Sequence, residues 1–184
     1  MSKSHALREL QQRLAQRMQA ARDQQTQLAN WLAVECAGYG LLLSLKEAAE
    51  IFTPVAIKPV PYSQPWLAGV ANLRGGLFTV IDLAVFLGLR DGNARQDARL
   101  DPGQARLVAF NPDLNINCAL LVDRLVGLRA DEQLQLEPPQ PAELLPGARP
   151  RFAGARMRDA DGRSWQQLHL DALSKHEQFL QVVV

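Results

Sequence analysis

The chain echoes itself. "WLAGV" at residues 66–70 returns as "RFAGA" at 151–155, and "VIDLA" at 80–84 returns as "HLDAL" at 169–173. "LAVEC", a turn and "LLLSLKEAAEI" are answered by "LVAFN", a turn and "CALLVDRLVGL". The offsets run from roughly 75 to 90 residues, too long and too weak for a stacked solenoid. They predict two small β units of about 70 residues, each too small to be very stable alone and so sharing a core. Short strands with frequent turn signals favour small barrels over sandwiches.

The strands are legible from their period. In "WLAVECA", Leu32, Val34 and Cys36 fall on one face. A turn at Gly38–Gly40 leads into "YGLLLSL". "KEAAEIF" reads as a bend or short helical turn, and "VAIKPV", broken by Pro59 and Pro61, as a sheet edge or loop. "GLFTVIDL" is the next clear strand, with Asp82 capping a short turn that stops at Gly88. "RLVAF", "INCALLV" and "RLVGL" continue the pattern, and "SWQQLHLDAL" is the last strand and turn. Residues 90–105 form a polar loop, and residues 137–150 carry too many prolines for a central strand. Before Trp31, Leu7, Leu10, Leu14 and Met18 recur at helical spacing, which predicts a helix over 4–29. Its thin, Gln-rich stripe needs a partner surface.

Composition excludes more than it selects. The chain is 47% hydrophobic and 21% charged with a formal net charge of +1, so no strong field draws it to nucleic acid or an anionic membrane. Cys36 and Cys118 sit inside apolar runs and read as small core residues of a reducing compartment. No apolar run reaches the ~18–20 residues of a membrane span. The opening residues hold no signal-peptide core, so a cytoplasmic location is expected. His5, His169 and His176 have no metal-ligand spacing, and no nucleophile elbow, Walker or dinucleotide motif is present. The expectation is a protein with no catalytic residue, metal or cofactor. Arg149, Arg151, Arg156 and Arg158 cluster, but Phe152 is the one aromatic among them, so a solvated loop explains them better than an RNA-binding face.

Arg74 stands out. It lies in "GVANLRGG" between a turn and a core strand, where Gly69, Gly75 and Gly76 give the backbone freedom for a tight turn. A guanidinium held there is pre-positioned for a carboxylate, and Glu50, flanked by Ala49 and Ile51, is a fitting partner.

The run "WLAGVANLRGGLFTVIDLAVFLGL" resembles the signature of the CheW adaptor family, in which a G-x-x-N-L-R-G turn leads to a P-x-x-D-L strand. "CALLVDRLVGL" resembles the family's V-V-D-x-V-x-x-V stretch, and "RFAGARMRDADGRSWQQLHLDAL" its ending. The match runs in order over about residues 30–174. Thr79 stands where the family usually has proline and Ala155 where glycine is common. The resemblance implies a mainly β fold of two intertwined SH3-like five-stranded barrels, near 30–95 and 105–176. Residues 1–29 would be a helical extension and 177–184 a C-terminal tail. It implies a non-catalytic coupler between chemoreceptor cytoplasmic hairpin tips and the regulatory domain of a CheA-type histidine kinase, with other CheW-like proteins as further partners. Such a coupler is recruited to membrane-associated arrays without inserting in the membrane. Trp66, "GVAN", "FLG" and the extension are most like the type IV pilus (twitching) branch; a flagellar adaptor is the alternative, and a small-barrel RNA-binding module a more distant one. Carried over by position, Glu50 and Arg74 match a buried acidic–Arg pair. Ala48, Gly69, Arg74, Leu125 and Leu128 match the groove between barrels that takes the receptor hairpin. No kinase-binding residue is identified.

Overall fold

A computed structural model describes residues 29–92, 101, 103–139 and 149–183. The expected N-terminal helix lies outside these residues except for Ala29, which already pairs in the first strand.

Eleven strands are described: β1 (Ala29–Cys36), β2 (Tyr39–Ser44), β3 (Ala48–Phe52), β4 (Leu67–Leu73), β5 (Gly76–Asp82), β6 (Arg106–Phe110), β7 (Cys118–Val122), β8 (Arg124–Ala130), β9 (Leu134–Leu136), β10 (Ala153–Asp159) and β11 (Ser164–Leu168). Three short helices join them: α1 (Leu83–Phe86), α2 (Leu170–Ser174) and α3 (Glu177–Leu180). As the sequence predicts, the Asp82 carboxylate accepts from Val85 N at 3.1 Å and starts α1. Gly88, at φ 69°, ends the turn that follows it.

The strands form two sheets, in the orders β8-β1-β2-β11-β10-β9 and β3-β6-β7-β5-β4. Each curls into a small barrel. In the first, β8 turns through Asp131–Gln133 straight into β9, so one bent strand supplies both edges. Asp131 pins that corner, accepting from Trp31 Nε1 at 2.6 Å and from the Asn30 side chain. In the second, Lys58 and Val70 exchange backbone hydrogen bonds of 2.8 Å, which joins the chain leaving β3 to the opposite edge strand β4. Counting β8 and β9 as one bent strand, each barrel has five.

Alternation explains the core. One set of side chains fills each barrel: Ala33, Leu42, Leu134 and Trp165 in the first, and Ala71, Leu73, Val80, Leu107 and Leu121 in the second. The other set builds a larger cluster shared by both. Leu32, Val34, Cys36, Leu41 and Leu43 from the first sheet meet Ile81, Val108, Leu120 and Val122 from the second. This shared core is the one the repeat predicts, and it is why neither unit needs to stand alone.

Several expectations are corrected. In "KEAAEIF" only Lys46 and Glu47 form the expected turn; Ala48–Phe52 is the strand β3, because Ala48, Ile51 and Phe52 pair with β6, overriding the local helical preference of Ala and Glu. The division near residues 95–105 does not separate the barrels. The first sheet takes β1–β2 and β8–β11, the second β3–β7, and parallel pairings of β2 with β11 and β5 with β7 interlock the halves. Of the two readings that "SKHEQFLQVVV" allows, a terminal helix or a tail, residues Glu177–Leu180 take the helix, and the segment is packed. Phe179 is buried in the shared core, near-parallel to Trp66 and Phe110 with ring centroids 6.2 and 6.1 Å away, and edge-on to Phe86 at 5.4 Å. Val183 then bridges to Ser63.

Candidate functional site

The β4–β5 hairpin answers the question posed by Arg74. Leu73 pairs with Gly76, so the turn is the two residues Arg74 and Gly75, at φ 48° and 85°. Both positive angles mark a type I′ turn, whose twist suits a hairpin. The Asn72 Oδ1 atom accepts from Gly75 N at 2.8 Å and steadies it. Arginine is a poor residue for a left-handed position, so its side chain, not its backbone, accounts for its presence. Arg74 Nη1 donates to Glu50 Oε1 at 2.7 Å, and the guanidinium lies 5.7 Å from the centre of the Phe52 ring. The pair joins the two edge strands of the second barrel. It is not buried, however: the two side chains are 75% and 43% exposed. β3 is an edge strand whose exposed positions are Ala49 and Ile51; Glu50 is half-exposed on the alternate set with Ala48 and Phe52.

Gly69 is not a turn residue. It sits in β4 at φ 140°, and a Cβ there would lie 2.2 Å from the Lys58 carbonyl oxygen. Its role is to let the Lys58 segment approach and close the barrel.

Leu125 and Leu128 do not flank a turn; they lie within β8. Leu125 pairs with Val34, Gly127 with Ala33 and Leu128 with Leu32, so Val126 is an extra residue in the ladder. That bulge explains how leucines three apart share one face of a strand. Both are half-buried and pack on the shared core, where Ala48 is also found, whereas Val126 packs with the interior of the first barrel. The structure therefore gathers Ala48, Leu125 and Leu128 at one apolar cluster. Gly69 and Arg74 belong to the closure of the second barrel.

A buried ionic cluster escaped the sequence reading. Arg90 Nη2 lies 2.5 Å from Asp123 Oδ2, and its Nη1 3.6 Å from Asp82 Oδ2. The Asp123 carboxylate also accepts from Ala37 N at 2.7 Å. The two acids stand at the ends of neighbouring parallel strands, β5 and β7, and the echo of "VID" in "LVD" was the available signal. Burial, opposed in part by hydrogen bonds and by Arg90, raises the Asp82 carboxyl above its ordinary value. Nearby, Glu35 Oε2 accepts from Arg124 at 2.8 Å and Arg163 at 2.6 Å, which holds its carboxyl below the ordinary range. Burial pushes the Cys118 thiol up to about 12 and the Cys36 thiol up as well, so both remain thiols. A cavity of about 590 Å³ opens between β2, β11 and α1, lined by Leu41, Phe86, Phe152 and Leu168 with Tyr39 and Gln178. Phe152 and Arg156 of the arginine cluster line it, but Ala48, Glu50, Gly69, Arg74, Leu125 and Leu128 do not. Among the described residues, no helix is long and apolar enough to cross a membrane.

Two interlocked small barrels that share a core and leave half-buried leucines along β8 are the frame of a scaffold protein. The CheW-like domain family matches residues 30–178, and the chain belongs to that family. Protein PilI of Pseudomonas aeruginosa PAO1 is 26% identical over 166 residues, covering 88% of this chain and 85% of that protein. The crystal structure of the scaffolding protein TtCheW from Thermoanaerobacter tengcongensis has the same fold. Its TM-score is 0.60 at 19% identity, over 77% of this chain and 88% of that one.

Proposed function

We propose that this chain is a non-catalytic chemosensory adaptor that joins a chemoreceptor hairpin tip to the regulatory domain of a CheA-type histidine kinase, in a system controlling type IV pili. The family match across both barrels carries the reading, and the similarity to PilI supports the pilus branch over the flagellar one. The receptor hairpin packs against the face where Leu125 and Leu128 of β8 border the shared core, to which Ala48 also belongs. Half-buried apolar side chains suit an interface of modest area that forms and releases a helix pair. The second barrel presents its hairpin tip, with Arg74 and Glu50, on a separate surface for the rest of the array.

The test is a pair of pull-downs from the native cells, one with a receptor signalling tip and one with the kinase regulatory domain. Deletion of the gene is scored in parallel for twitching and for swimming. Binding of both partners with loss of twitching alone is the expected result. Loss of swimming alone would place the chain in the flagellar system, and binding of neither partner would overturn the reading.

A further inference from the structure

We propose that Arg90 is a positioning residue for the receptor face: it pins the start of β8, and with it Leu125 and Leu128, to the seam between the two barrels. This rests on the adaptor reading above. The geometry is specific. Arg90 lies four residues past the end of α1, and its backbone is held by a hydrogen bond of 3.2 Å to the Ala84 carbonyl, after the left-handed Gly88 has turned the chain. Its side chain, only 10% exposed, then reaches two carboxylates from different places. Asp82 ends β5 in the second barrel. Asp123 is the one residue between β7, in the second barrel, and β8, in the first. From there it also accepts from Ala37 N in the β1–β2 turn, while its own backbone N–H donates to the Glu35 carbonyl at 3.0 Å.

The chain therefore crosses between barrels at Asp123, and its bonds to Arg90, Ala37 and Glu35 are tethers at the crossing. Leu125 lies two residues beyond it. A planar guanidinium can hold two carboxylates in fixed directions at once, which an ammonium cannot. The bulge at Val126 interrupts the β8–β1 ladder between the two leucines, and a fixed point at the start of β8 helps set where they stand. Arg90 does so through Asp123, and the barrel angle and the receptor face are set together.

Asp123→Asn tests this most cleanly. It keeps an oxygen for Ala37 N and leaves Arg90 balanced against Asp82, but it removes the charged tether. Amide exchange over Arg124–Leu128 should quicken, with β10 and β11 unchanged as internal controls. Affinity for a soluble receptor signalling-tip hairpin should fall about tenfold, while kinase regulatory-domain binding stays the same. Arg90→Lys, which keeps the charge without the fork, is the second variant and should give an intermediate loss of tip affinity. Unchanged β8 exchange and tip affinity in either folded variant would overturn the proposal, as would exchange that quickens evenly across both barrels. A wild-type protein that does not bind the tip would instead remove the adaptor reading; the β8 exchange contrast would then report only whether the tether holds.

Discussion

Arg74 and Glu50 meet at 2.7 Å across the mouth of the second barrel, in the open rather than in the core. That location changes what the pair is worth. A buried pair broken by removing one partner costs roughly 3–5 kcal/mol, an exposed one about 0.2–1 kcal/mol. Arg74→Ala is therefore expected to lower stability by no more than about 1 kcal/mol, including its contact with the Phe52 ring. Arg74→Asn, which suits the left-handed turn better, should match or exceed the wild-type melting temperature. Thermal melts of the two variants check this; a loss of several kcal/mol in either would mean that the pair is shielded in solution.

Gly69 carries the opposite expectation. Gly69→Ala meets a carbonyl at 2.2 Å and an unfavourable φ of 140°. The strain and the lost Lys58–Val70 bridge together should cost about 2–4 kcal/mol. Urea titration measures the cost, and amide exchange at Lys58 and Val70 should rise first. A neutral substitution would show that the closure is loose.

Short apolar runs with turn signals between them made β1, β2 and β5–β8 legible, because these strands bury one set of side chains in a barrel and the other in the shared core. β3 was hidden by the helical preference of "KEAAE", and β4 and β10 by the glycines inside them. The turn glycines and the resemblance both pointed to Glu50 and Arg74 as a pair, but the resemblance implied a buried one, and the exposure depends on β3 lying at an edge. Arg90 and Asp123 are 33 residues apart in sequence and meet only because β5 and β7 run parallel. No local pattern encodes that. The burial of Phe179 was equally invisible, since it depends on Trp66, Phe86 and Phe110 converging from three distant segments.

Phe179→Ala follows from that convergence. Removing an aromatic ring from such a box costs about 3–5 kcal/mol. The melting temperature should fall by an amount close to that caused by deleting residues 177–184. If the deletion is silent, the C-terminal segment is a tail after all.

Glu35 sets part of the acid limit. Arg124 and Arg163 lower its carboxyl from the ordinary value of 4.5, so the folded state binds that proton less readily than the unfolded one. Its contribution is therefore complete above that value and is lost as the pH falls through the depressed folded value. Glu35→Gln should cost about 1 kcal/mol at neutral pH and progressively less in acid. Asp82 runs the other way: its raised carboxyl favours the folded state at low pH, an advantage lost as pH rises through the folded value. Chemical denaturation across the acid range checks both, and a Glu35→Gln penalty independent of pH would mean that the cluster is not paired.

Leu125→Lys addresses the receptor face itself. Leu125 is half-buried on β8, and a lysine there can lay its methylene stem along the shared core while lifting its ammonium into water. Folding should therefore survive with a modest fall in melting temperature. Val126→Lys is the built-in contrast, because the bulge turns that neighbour, also half-buried, against the interior of the first barrel beside Trp165 rather than the shared core. It should destabilise more. When a receptor helix packs on the face, the Leu125→Lys ammonium loses its water without gaining a partner, a penalty of about 2 kcal/mol or more against binding. The kinase regulatory domain, docking elsewhere, should bind as before. Titrations of each partner against both variants decide the point. Equal destabilisation by the two substitutions would show that Leu125 belongs to the core, and unchanged tip binding in a folded Leu125→Lys protein would move the receptor to another surface.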